Sequence, residues 1–96
     1  MTELTLVSSY QYPLQNLIKS ALANQLRLLQ AGLQRTQQRL KLFETKYKLS
    51  TSIFITRLEN DELEETLDFI EWLGEYNMLK RLEQKIGVLQ GIQIAN

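Results

Sequence analysis

Glu64, Asp68, Glu71 and Glu75 are spaced 4, 3 and 4 residues apart, so a single helix would stack their four carboxylates along one edge. Such a row could hold a cation, exchange protons with a substrate, or face a basic partner. The first two uses lack their companions. The chain contains no His and no Cys, which removes zinc sites, Cys–His nucleophiles and the Ser–His triad. Di-metal sites in helical bundles combine Glu with Glu-x-x-His, and no Asp-x-Asp-x-Asp-Gly calcium loop is present either. Nothing in the sequence supplies a phosphate cradle or an oxyanion hole. The expectation is a protein without catalysis, metal or cofactor.

The remaining use is recognition. Phe69, Trp72, Tyr76 and Leu79 run beside the carboxylates at helical spacing, and an acidic edge next to an aromatic edge suits a basic, partly apolar surface. The candidate partner-binding residues are therefore Glu64, Asp68, Glu71, Trp72, Glu75 and Tyr76. An anchor of this kind requires Trp72 to be at least partly exposed. Two plainer readings stand beside it. The aromatics could be core and the acids a solvated face, or the acids could lie against Arg35, Arg39, Lys41 and Lys46 of the same chain.

Those bases belong to a wider asymmetry. The 96 residues have zero net charge. Yet residues 19–57 hold Lys19, Arg27, Arg35, Arg39, Lys41, Lys46, Lys48 and Arg57 against the single acid Glu44. Residues 59–75 reverse the sign, with Glu59, Asp61, Glu62, Glu64, Glu65, Asp68, Glu71 and Glu75 and no base. The bases of the first half fall at mixed heptad positions without a helix-turn-helix or an aromatic RNA motif, so solvated flanks of a coiled coil are preferred to a nucleic-acid surface. The start, MTELTL, bears an acid where a signal peptide has bases. No segment reaches the roughly 18 apolar residues of a membrane span. A cytoplasmic protein is the expectation.

The elements that must position these residues are helical. Only four Gly and one Pro interrupt a chain that is 44% hydrophobic. Leu22, Leu26, Leu29, Leu33, Thr36, Leu40, Phe43 and Tyr47 follow an unbroken 4-3-4-3 spacing, the seam of a helix. Pro13 suits a first helical position. A helix from Pro13 to about Lys48 would be about 54 Å long at 1.5 Å per residue, far longer than a compact globule of this size. Thr36 is the polar residue on that seam and either fixes register or is tolerated as small. Ser50 can cap a short helix carrying Ile53 and Phe54, and Asn60 or Asp61 can cap a last helix. That helix would show a wide apolar face containing Phe69, Ile70, Leu73, Tyr76, Leu79, Leu82, Ile86 and Leu89. The predicted fold is all-α: residues 1–12 an extended arm or short strand, 13–90 a long-helix antiparallel hairpin with a short connecting helix, and 91–96 a tail. Two helices cannot cover faces this wide, so a dimeric bundle or coiled coil is expected, with Leu22, Leu26, Leu29, Leu33, Leu40 and Phe43 as the dimer seam.

The run Phe43-Glu44-Thr45-Lys46-Tyr47-Lys48-Leu49-Ser50, then Phe54, then Asp68-Phe69-Ile70-Glu71-Trp72, resembles small helical antitoxin-like proteins of prokaryotic two-gene toxin–antitoxin loci, built around an FExKYxxS…F…DxxEW pattern. The resemblance covers residues 43–81 and has no catalytic content. Many such proteins have Gly where this chain has Lys48, which puts the sharp helix stop at that point in question. The resemblance implies a small basic toxin partner, occluded by charge complementarity. The reading is a non-enzymatic homodimer that neutralises such a partner. The alternative is a structural coiled-coil or scaffold subunit without one, and direct nucleic-acid binding is the weaker third.

Overall fold

A computed structural model describes residues 14–92. The N-terminal arm and Pro13 expected from the sequence, and most of the tail, lie outside that range. Three helices follow one another: α1, Leu14–Tyr47; α2, Thr51–Glu59; and α3, Leu67–Gln90. No strand occurs among the described residues. α1 and α3 form an antiparallel hairpin. The last turn of α1 meets the first of α3 through Lys46 and Asp68, and Leu22 and Leu26 near its start share a cleft with Leu89 and Ile92. Thirty-four residues make α1 about 51 Å long at 1.5 Å per residue. The described chain accordingly extends 61 × 25 × 19 Å, with a radius of gyration of 19.6 Å. A compact 100-residue domain would have about 13 Å.

The stop at Lys48 is sharp. Its φ of 51° places it in the left-handed region, and the Leu49 N–H donates to the Glu44 carbonyl at 3.2 Å, the six-to-one bond of a Schellman ending. A lysine serves there at a steric cost that glycine avoids. Lys48→Gly is expected to stabilise the protein by about 1 kcal/mol, read as a shifted urea midpoint with unchanged slope. An unchanged or lowered midpoint would contradict this account of the corner.

Glu44 also starts the next helix. Its Oε2 accepts from the Thr51 N–H at 2.7 Å, and the Ser50 hydroxyl accepts from the Ile53 N–H at 3.3 Å. Two donors that would be orphaned at the α2 N-terminus are thereby satisfied. α2 then ends as α1 does, with Asp61 at φ 55° and the Glu62 N–H on the Arg57 carbonyl at 2.9 Å. Asn60 and Asp61 therefore terminate α2 and do not cap α3. Asx residues tolerate the left-handed region, so they can end a helix as readily as begin one. The cap of α3 is Thr66, whose hydroxyl accepts from the Phe69 N–H at 3.1 Å.

The core is concentrated at this closed end. Trp72 and Phe54 are both 0% exposed, and Leu40 completes the buried cluster. The Trp72 indole lies between Phe54, parallel to it at 3.9 Å between centroids, and Phe43 at 5.6 Å. Tyr47 and Phe69 close the group at 5.8 and 6.4 Å from the indole. The indole N–H donates to Thr51 Oγ1 at 3.0 Å, so the one polar atom of the largest buried side chain is paired. Farther along the seam, burial is reached only by Thr36 and Ile86.

Candidate functional site

The six residues expected to bind a partner are not one surface. Trp72 is fully buried. It cannot be an exposed anchor, and the aromatic edge is core: its neighbours Phe69, Tyr76 and Leu79 also pack against the buried cluster. Glu64 is also displaced. It lies in the connection before α3, so the helical row contains three carboxylates, Asp68, Glu71 and Glu75, spaced 3 and 4 apart.

Two of those three are committed within the chain. The Asp68 carboxylate accepts from Lys46 Nζ at 2.6 Å and from the Tyr47 hydroxyl. Arg39 Nε meets Glu75 Oε1 at 2.9 Å. Arg39 and Lys46 are thus the two bases of α1 that answer the acids of α3, whereas Arg35 and Lys41 form no ion pair with them. Asp68 and Glu75 are thus paired with α1 of the same chain. Glu71 is exposed and forms no ion pair among the described residues.

The proton equilibria follow this geometry. Hydrogen bonds from Lys46, then from Tyr47, hold the Asp68 carboxyl below its ordinary range. The same contact raises Lys46 and Tyr47, in each case first through the hydrogen bond to Asp68. A lowered carboxylate pKa means support that is present above the ordinary carboxylate range and is lost as pH falls through the lowered value. The raised groups hold their support below their ordinary alkaline range and lose it above. The Tm gap between wild type and Asp68→Asn should therefore be open near pH 6 and close by about pH 2. A gap independent of pH would mean that the Asp68 charge does not support the fold.

Part of the expected dimer seam packs within the chain itself. Leu40 is buried in the cluster with Trp72, and Phe43 stacks on the indole. Leu22 and Leu26 face the end of α3, and Leu29 and Leu33, half-buried, continue the same face. Leu22, Leu26, Leu29 and Leu33 remain partly exposed. Leu17, Leu28 and Leu42 are exposed on the outer side of α1.

Apart from Glu64, the sequence did not mark the corner between α2 and α3 as a site. Glu59, Asp61, Glu62, Glu64 and Glu65 are all exposed there, and none forms an ion pair among the described residues. Leu63, in their midst, is half-buried against the core and tethers the acidic connection. Between α2 and α3 the corner encloses a groove of about 400 Å³. Its walls are Leu58, Leu63, Phe69, Ile70 and Leu73, and Asp61 and Glu65 stand on its rim. The signal was available in the dense run ENDELEE, once it is assigned to a connection instead of a helix. Among the described residues no cluster of carboxylates converges as metal ligands, and no helix is long and apolar enough to cross a membrane. No family model matches the chain, and neither a curated protein nor a solved structure matches it significantly.

Proposed function

We propose that the protein is a non-enzymatic binding module of the antitoxin kind, which covers a small basic partner protein with its acidic α2–α3 corner. One observation carries this reading: five exposed carboxylates, Glu59, Asp61, Glu62, Glu64 and Glu65, sit together without a counter-charge, while Asp68 and Glu75 are neutralised by α1. Like charges in close array repel one another. A basic surface docking on them removes that repulsion and is steered toward them over a screening length. The mechanism is occlusion, with no bond made or broken. A homodimer belongs to the same proposal and would draw on Leu17, Leu28 and Leu42 of α1.

The test is co-purification with the product of the adjacent gene. Triple reversal Glu62→Lys/Glu64→Lys/Glu65→Lys is expected to abolish that association at low salt while leaving the helical circular dichroism intact. These side chains are exposed and form no ion pair among the described residues, and surface changes of this type alter stability by roughly 0.5 kcal/mol or less. Association that survives the reversal would refute the acidic corner as the partner surface. A wild-type protein that binds no basic neighbour would favour the scaffold alternative.

A further inference from the structure

We infer that the groove between α2 and α3 receives an apolar side chain of a basic polypeptide, with lysines or arginines on either side of that side chain meeting the rim. This deepens the proposed function and rests on it. Ile70 is 55% exposed on the wall of the groove. Leu67, three residues earlier and so on the same side of α3, is 72% exposed. Neither belongs to the buried cluster or to the hydrophobic residues packed against it. The concavity of about 400 Å³ falls within the range of pockets that enclose ligand groups.

The rim selects the occupant. Asp61 and Glu65 border the apolar walls, Glu59, Glu62 and Glu64 stand nearby in sequence, and residues 59–75 contain no base. A nucleic-acid backbone or an anionic lipid surface would be repelled. A cationic polypeptide with an apolar side chain satisfies both the walls and the rim. The groove would then supply the part of the affinity that salt does not screen, and the carboxylates the part that it does.

The experiment titrates the full chain with a fluorescein-labelled amphipathic peptide of Leu and Lys at about 10 mM salt, where the screening length is about 30 Å. Ile70→Gln is expected to weaken binding at least about tenfold, the effect of losing one buried aliphatic contact. Val88→Gln, an equally apolar and exposed position near the far end of α3, should leave it unchanged. Asp61→Asn/Glu65→Gln should flatten the salt dependence. Equal binding by the Ile70 and Val88 variants would overturn the groove. If the triple lysine reversal still abolished binding in that case, the acidic-corner reading would stand without it. Failure of wild type to bind the peptide also overturns the groove, and co-purification then judges the function separately. Sedimentation of the protein alone as a dimer that Ile70→Gln dissociates would assign the groove to a second copy and overturn the assignment to a partner.

Discussion

Trp72→Ala is expected to unfold the chain. Replacing a buried Trp or Phe by Ala costs about 3–5 kcal/mol, and a small domain has only about 5–15 kcal/mol of stability in total. The core of this chain is small. Its buried apolar side chains among the described residues are Leu40, Phe54, Trp72 and Ile86, and three of those four form one cluster with Trp72 in it. Removing the indole leaves Phe54 and Phe43 facing a gap from opposite sides, because the ring that separated them at 3.9 and 5.6 Å is gone. It also strips the buried Thr51 hydroxyl of the donor at 3.0 Å. Trp72→Phe separates these effects: it retains most of the stacking and loses the hydrogen bond, so it should remain folded with a reduced urea midpoint. The measurement is far-UV circular dichroism against urea for both variants. A folded Trp72→Ala protein that failed only in partner binding would restore Trp72 as a recognition residue.

The FExKYxxS…F…DxxEW pattern is consequently a description of this corner. Phe43, Tyr47, Phe54 and Trp72 are the stacked rings. Glu44 and Ser50 start α2, and Lys46 and Tyr47 hold Asp68. Glu71 alone among those positions is exposed and unpaired. A resemblance built on such residues speaks to how the two helices are joined and is silent about what they bind.

The same corner shows what could be read from the chain and what could not. The 4-3-4-3 run of leucines on α1 reports a helix because its period is set by the backbone alone, and α1 and the hairpin follow from it. Which surface that stripe meets is a tertiary question. Period cannot distinguish α3 of the same chain from α1 of another, and the seam it suggests for a dimer contains Leu40 and Phe43, which pack in this chain's own core. The start of α3 lies later than its sequence suggests for a local reason. Asn60 and Asp61 carry the side chains of an N-cap and also those of a left-handed helix end, and only the Glu62 N–H on the Arg57 carbonyl decides between them. That shift of five or six residues takes Glu64 off the helix, and with it the candidate site from the edge of α3 to the connection before it.

Leu40→Asp and Leu42→Asp, two residues apart on α1, should behave oppositely. Leu40 is buried beneath Phe54 and Trp72, whereas Leu42 is 71% exposed on the far side of the helix. A carboxylate at position 40 has no base within the cluster to pair with, and burying it unpaired costs several kcal/mol. The chain is expected to lose its cooperative urea transition. The same substitution at position 42 removes an apolar group from solvent contact and adds a charge on an exposed turn, changing stability by about 0.5 kcal/mol or less. If the seam were an interface between chains, Leu40→Asp would instead yield a folded monomer, visible as intact helicity with a halved mass by light scattering. If a second copy packs on the outer side of α1, the halved mass belongs to Leu42→Asp. The two variants thus separate the face that makes the hairpin from the face left for another molecule, because helicity responds to the first and mass to the second.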